Sequence, residues 1–341
     1  MTIATDIYLE AVGSYLPEHR EKLVDAVAEL PGPETERVLA TGYDTVAVET
    51  ELYPGDMAVR AAEQALSLAG APASSVGMIS VSAIHRNGHK RLWSPASYVQ
   101  NALGNDRAIP FNLMQGCNGN MIGLQLACDH LARSRYDERV IAAATDRFGT
   151  SSFNRYTSDY GIVYGDGSGA FLVSRKRGAL KVTGLHTVSN PGMESLHRTA
   201  EPLPETAELL SDEHDVRAAK RGYLAEHGKG SLSVRTSAAV SAIRDELLPG
   251  DAQDSLRHIV FPNLGHGLLS GNYFTAFTDG ERKSLWDLGR TIGHLGSGDA
   301  AVGMSHLITT GQLDKGDKVL LLGAGAGFTW TGALIEVVAR P

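Results

Sequence analysis

Residues 109–120 read Ile-Pro-Phe-Asn-Leu-Met-Gln-Gly-Cys-Asn-Gly-Asn, and residues 121–132 continue Met-Ile-Gly-Leu-Gln-Leu-Ala-Cys-Asp-His-Leu-Ala. The opening Ile109–Leu113 is a short apolar strand, and Asn120 to Ala132 carries apolar residues at helical spacing. Between them, Met114-Gln115-Gly116-Cys117-Asn118-Gly119 is a sharp turn that sets a cysteine at the mouth of a helix. A helix N-terminus presents unpaired N–H groups and a partial positive charge, surroundings that favour thiolate. Cys117 is therefore the candidate nucleophile. Cys128, next to the apolar run Leu124–Ala127 and away from any glycine turn, reads as a small buried hydrophobe.

The same strand–helix alternation extends in both directions. Upstream, a strand over residues 6–15 precedes a helix from Asp56, its expected N-cap, to Leu68, with Gly70 as its stop. A strand over Val76–Ala83, the polar loop His85–Arg91 and a helix over 95–103, opened by Pro95 and stopped by Gly104, come next. Downstream, strands are expected over Val140–Thr145, Gly165–Val173, Leu180–Ser189, Ile259–Phe261, 318–323 and 328–338, with helices over 235–248 and 299–310. The stretch from Asn190 to about Lys229 is polar and reads as irregular. The pattern is α/β, with mixed or parallel sheets.

Two glycine clusters resemble one another. Gly165-Asp166-Gly167-Ser168-Gly169 runs into Ala170-Phe171-Leu172-Val173, and Gly323-Ala324-Gly325-Ala326-Gly327 runs into Phe328-Thr329-Trp330. Their placement near the ends of two halves is economically explained by duplication. The first also fits a dinucleotide fingerprint formally, but that motif must open a helix, and these glycines open a strand. The dinucleotide reading is discarded.

Composition narrows the function classes. The chain has 341 residues, 43% hydrophobic and 21% charged, longer than one typical domain. A net charge of -8 leaves nothing to neutralise phosphates, against general nucleic-acid binding. No apolar run reaches the roughly 20 residues needed to span a bilayer. The opening MTIATDIYLEAVG lacks a basic region followed by an apolar one, so a cytoplasmic location is expected. Two cysteines make no disulfide framework, and the pattern calls for neither metal nor resident cofactor.

Four pieces in order, Val12-Gly13-Ser14-Tyr15-Leu16-Pro17-Glu18, Gly116-Cys117, Tyr164-Gly165-Asp166-Gly167-Ser168-Gly169-Ala170 and Gly325-Ala326-Gly327-Phe328-Thr329-Trp330, resemble the β-ketoacyl-acyl-carrier-protein synthase III branch of the thiolase superfamily. They spread over nearly the whole chain, leaving about 20–55 and 190–255 unmatched. The resemblance implies a five-layer αβαβα fold of two duplicated halves, here 1–176 and 177–341. It also implies a homodimer, a cysteine acylated by a thioester, and an oxyanion hole formed by the backbone N–H groups of Cys117 and Ala326.

The chain departs from the decarboxylating synthases at two places. Where they carry a histidine after proline, it has Pro262-Asn263; where they carry asparagine after glycine, it has Gly293-His294-Leu295-Gly296-Ser297-Gly298-Asp299. The two residue types are exchanged and an aspartate is added. A histidine oriented by a carboxylate beside a cysteine is the nucleophile–base–orienter arrangement of acyl transfer. The turn resembles the Cys-His-Asp acyltransferase subgroup of natural-product pathways, polyketide and antibiotic pathways among them. In this reading Cys117, His294 and Asp299 form a triad and Asn263 donates to a carbonyl oxygen. The plainer expectation is that Asp299 caps the helix over 299–310, a role compatible with the triad. His266 is a rival base and His306 reads as structural.

The segment Thr35–Tyr43 lacks the tryptophan with which coenzyme A-loading relatives meet adenine, so an acyl carrier protein is the expected donor, with coenzyme A still open. Arg86, Lys90 and Arg91 read as a solvated basic loop or as partners for a carboxylate or phosphate. Three functions follow in order. The first is acyl transfer to a hydroxyl or thiol, such as a sugar or a second carrier protein. The others are decarboxylative condensation and a non-catalytic carrier-binding subunit.

Overall fold

The computed structural model describes residues 6–85, 93–149, 153–198, 216–325 and 327–341. Its strands, in chain order, are Tyr8–Tyr15 (β1), Arg20–Lys22 (β2), Thr45–Ala47 (β3), Val76–Ser82 (β4), Ile109–Leu113 (β5), Arg139–Asp146 (β6), Gly167–Ser174 (β7), Leu180–Ser189 (β8), Leu256–Val260 (β9), Lys318–Gly325 (β10) and Thr329–Val337 (β11). Among the described residues β2 and β3 form a small separate pair, and the others form one mixed sheet in the order β5-β4-β6-β7-β1-β8-β11-β10-β9. The protein is mixed α/β.

The pairing pattern repeats from the sheet's middle outward. On one side β1 is antiparallel to β7, β7 to β6, and β6 is parallel to β4. On the other, β8 is antiparallel to β11, β11 to β10, and β10 is parallel to β9. Only Tyr8↔Lys181 and Leu9↔Leu180 join β1 to β8.

Side-chain alternation decides what each face meets. Val140, Ala142, Phe171, Val173, Val319 and Leu321 face a shared core with the helices Gly119–Arg133 and Asp299–Thr309. Their neighbours Ile141, Ala143, Ala170 and Leu172 face the opposite way, against helix Pro54–Leu68. Leu320, Leu322 and Trp330 turn toward helix Ser231–Leu247. Strands buried on both faces must be apolar at consecutive positions, which is why β6 and β7 read as continuous runs. Removing one such side chain, Leu172 for example, deletes a fully buried contact worth about 2–5 kcal/mol.

Several expected boundaries shift. Helix Pro54–Leu68 begins at Pro54, so Asp56 is not its N-cap; it lies in the first turn, where its carboxylate accepts from the Tyr53 N–H at 3.2 Å. The stretch expected to be irregular after Asn190 contains a turn over Pro191–His197 and a helix over Val216–His227. That helix buries Ala219, Lys220 and Tyr223. Its one buried charged position hides the apolar stripe from a periodicity count.

Candidate functional site

Cys117 lies in a single tight turn, Gly116–Asn118, immediately before helix Gly119–Arg133. Gly116 has φ of +53°, a left-handed conformation that a side chain would strain. The turn is fastened to the far side of the sheet: the Asn118 amide donates to Thr329 Oγ1 at 3.0 Å and to Thr331 Oγ1 at 2.9 Å. Gly325 permits this, since a Cβ there would stand 2.4 Å from the Asn118 nitrogen. The glycines at the end of β10 thus allow backbone to lie against the nucleophile turn.

His294 arrives on a loop pinned to the segment before β7. Its N–H donates to the Val163 carbonyl and its own carbonyl accepts from the Gly165 N–H, both at 2.9 Å. The ring is 1% exposed, with Nε2 3.1 Å from Cys117 Sγ and Nδ1 2.5 Å from Asp299 Oδ2. Burial presses the imidazolium toward neutrality. The Asp299 carboxylate and the Cys117 sulfur more than offset this and hold its pKa well above the ordinary histidine range.

Asp299 does not cap the helix it begins: Gly298 occupies the N-cap position. Its carboxylate instead accepts from His294 Nδ1, from the Leu295 N–H at 2.8 Å, and twice from Asn263, through the backbone N–H at 2.8 Å and Nδ2 at 3.0 Å. This corrects the expected use of Asn263. Its remaining amide hydrogen goes to the Gly293 carbonyl at 3.1 Å, so the amide faces Asp299 and not a substrate carbonyl.

The other expected residues separate clearly. His266 pairs with Glu281 at 2.8 Å on the surface, away from Cys117. His306 is half-buried on helix Asp299–Thr309 beside Gln312, and burial lowers its pKa. Cys128 is buried, and that burial pushes its thiol pKa up to about 12. Ala326, the expected second oxyanion donor, and Arg86, Lys90 and Arg91 lie outside the described residues. Among the described residues no group of three His, Cys, Asp or Glu side chains could hold a metal, and no helix is long and apolar enough to cross a membrane.

A cavity of about 110 Å³ opens onto the sulfur, lined among others by Cys117, His294, Tyr164, Tyr273, Lys220 and Phe328. Tyr164 packs its ring 5.4 Å from the His294 ring and donates its hydroxyl to Asp159 at 2.8 Å. Asp159 also holds Lys220 at 2.5 Å. Behind the histidine lies a further buried carboxylate, Asp146, which accepts from the Ile84, His85 and Ser297 N–H groups. Burial raises its pKa to about 7, against the pull of those N–H groups and of His294.

Sequence reasoning passed over Asp146, Asp159, Tyr164 and Lys220 as site residues. The signal for Asp146 was an aspartate just past the apolar run Val140–Ala144, and for Tyr164 its place before the glycine motif. Lys220 had no local signal.

Comparison with known proteins agrees with the motifs. Residues 111–191 match 3-oxoacyl-[acyl-carrier-protein] synthase III, and residues 256–337 match the C-terminal part of that family. The β-ketoacyl-[acyl-carrier-protein] synthase III of Sodalis glossinidius is 28% identical over 336 residues, covering 95% of this chain and 97% of the relative. Synthase III 1 of Vibrio cholerae is 27% identical over 339 residues, with the same coverage. Among solved structures, the acyltransferase ChlB3 is 26% identical, covers 98% of both chains and superposes with a TM-score of 0.89. Xanthomonas campestris OleA, 17% identical with a TM-score of 0.77 and 98% coverage of both chains, shares the fold. With these likenesses and a cysteine–histidine pair at hydrogen-bond distance, the chain is a ketoacyl-synthase-III-like protein of the thiolase superfamily, an enzyme of the acyltransferase or condensing type.

Proposed function

We propose that this enzyme is an acyltransferase that carries its acyl group on Cys117. The observation that carries the reading is His294 bridging Cys117 at 3.1 Å and Asp299 at 2.5 Å. The Cys117 thiolate attacks the thioester carbonyl of an acyl carrier protein, or of coenzyme A. A carbon–sulfur bond forms to Cys117, the donor's carbon–sulfur bond breaks, and the donor leaves as a thiol with the proton from His294. Acylation removes the negative charge from the sulfur and with it one support of the imidazolium. His294 is then left neutral, able to take a proton from an incoming hydroxyl or thiol. Asp299 holds the tautomer, and Asn263 holds Asp299.

Decarboxylative condensation is the alternative, favoured by the names of the curated relatives. It needs a histidine and an asparagine side chain turned together on a developing enolate. The engagement of the Asn263 amide with Asp299 and Gly293 argues for transfer instead. A non-catalytic carrier-binding subunit would have no use for a buried triad.

The wider expectations belong to the same proposal. The recurring strand pairings and the helix layers on either side of and between the two sheet halves support an αβαβα stack of duplicated halves, 1–176 and 177–341. Strand β5 ends the sheet and exposes Ile109, with Met114 beyond it, an apolar edge suited to a homodimer. A polyketide or antibiotic pathway in the cytoplasm is the proposed setting, by the likeness of the histidine turn to acyltransferases of such pathways.

The test is single turnover with malonyl, acetyl and aryl thioesters on carrier protein. Transfer predicts an intact acyl-enzyme that passes its acyl group to an acceptor. Release of carbon dioxide from the malonyl thioester with formation of a ketoacyl product would support condensation.

A further inference from the structure

Lys220 is a charged residue only 9% exposed, on a helix that approaches the nucleophile's cavity from the second half of the chain. Its ammonium is held by Asp159 at 2.5 Å, and Asp159 is itself 1% exposed. Both residues line the cavity that also holds Cys117 and His294. Asp159 takes the Tyr160 N–H at 2.6 Å and the Tyr164 hydroxyl at 2.8 Å besides the lysine. Lys220 has donors to spare: an ammonium has three hydrogens, and among the described residues Asp159 is its one acceptor. Thr236 stands in the same wall, buried, with no hydrogen-bond partner for its hydroxyl among the described residues.

A buried lysine–aspartate pair is costly to desolvate, and a hydrophobic pair of the same volume would often serve stability as well. Its presence beside unused donors therefore calls for a ligand. The charges facing the cavity define what kind. Lys220 is neutralised by Asp159, and the His294 imidazolium faces both Asp299 and the Cys117 sulfur. Among the described residues, both of these cations already face a carboxylate. Neutral oxygens are what the remaining N–H groups and the threonine hydroxyl can take.

We propose that Lys220, with Asp159 and Thr236, forms the acceptor subsite and takes a neutral molecule bearing several hydroxyl groups. This rests on the transferase reading above and narrows its acceptor to a hydroxyl. One hydroxyl accepts from Lys220 and a second pairs with Thr236, leaving a third directed at the acyl-Cys117 carbonyl. That oxygen attacks the carbonyl carbon; the new carbon–oxygen bond forms, the carbon–sulfur bond breaks, and the hydroxyl proton passes to His294 Nε2. The products are an ester and the Cys117 thiolate beside an imidazolium, the state in which the cycle began. Tyr164, hydrogen-bonded to Asp159 and packed on the His294 ring, joins the subsite to the base.

The experiment separates the two half-reactions. Acyl-enzyme is prepared from a carrier-protein thioester and its decay is followed by intact-protein mass spectrometry with methyl β-D-glucopyranoside or with N-acetylcysteamine. The glycoside should accelerate decay of the wild-type acyl-enzyme. Lys220→Met should weaken that effect about 10- to 100-fold, the loss expected for a charged hydrogen bond. Thr236→Val, which keeps the ion pair and so guards against misfolding, should weaken it severalfold. In both variants the loss of the glycoside effect should exceed any loss in acylation or in decay with the thiol. Binding of the glycoside to the donor-free protein, read by saturation-transfer NMR, should be present in wild type and weakened in both variants. That readout stands even if no donor acylates the enzyme, an outcome that would count against the transferase reading alone. Equal losses with glycoside and thiol in the variants, or no glycoside binding by wild type, would each overturn the proposal.

Discussion

Asn263 grips Asp299 at both oxygens: its backbone N–H reaches Oδ2 at 2.8 Å and its side-chain Nδ2 reaches Oδ1 at 3.0 Å. The carboxylate that orients His294 is thereby fixed in plane by a residue that does not line the cavity. Asn263→Ala removes one of these two bonds and leaves the other. Hydrogen bonds to charged groups contribute about 1.5–3 kcal/mol, so transfer should fall about 10- to 100-fold. Acylation and transfer should both slow, since both use His294. A variant with wild-type rates in both steps would refute this positioning role.

Asp299→Asn tests the orienter directly. In the native chain burial lowers the His294 pKa, while the carboxylate and the sulfur raise it further than burial lowers it. The raised folded value means that this interaction stabilises fully below the unfolded histidine range and is lost as pH rises through the folded value. Without the carboxylate, His294 should lose its proton at lower pH, visible in an NMR titration of its ring protons. The rate should fall on the order of 10³- to 10⁴-fold, as when the aspartate of a serine triad is made neutral. An unmoved titration would contradict the assignment.

What the sequence made legible here was local. The Cys117 turn, the spacing from His294 to Asp299, the apolar runs of β6 and β7 and the glycine approach of β10 all announce themselves within a few residues. Asn263 was found by its place after Pro262, but its use was misread, because the direction of an amide depends on a carboxylate 36 residues away. Lys220 was invisible for a related reason. Its partner Asp159 lies 61 residues upstream, and a lysine on a polar stretch reads as a solvated one until the fold buries it.

Asp146 gives a stability signature. Burial raises its folded pKa to about 7 from 3.8, with backbone N–H groups and His294 opposing. Between those values the folded chain binds more protons than the unfolded chain, so this residue makes stability fall as pH rises from about 4 to 7. Asp146→Asn does not titrate. Urea denaturation should show the variant gaining on wild type across that interval, by up to about 4 kcal/mol. A difference that stays constant with pH would contradict the raised value.

Gly296 is the close neighbour of that carboxylate. It has φ of +62°, and a Cβ would lie 2.1 Å from Asp146 Oδ2. Gly296→Ala should destabilise by about 2 kcal/mol or more, from the left-handed backbone and the displaced carboxylate together. The His294 turn carries Gly296, so activity should drop at temperatures where the variant remains folded. Thermal denaturation alongside single-turnover rates checks both.

The most direct test of the central claim is intact-protein mass spectrometry of wild type and Cys117→Ala after exposure to a panel of acyl-carrier-protein and coenzyme A thioesters, malonyl included. The account predicts one acyl mass on wild type, none on Cys117→Ala, and a malonyl adduct that keeps its carboxylate. The same adduct on Cys117→Ala, or no adduct on wild type with any donor, would contradict a Cys117-borne acyl group.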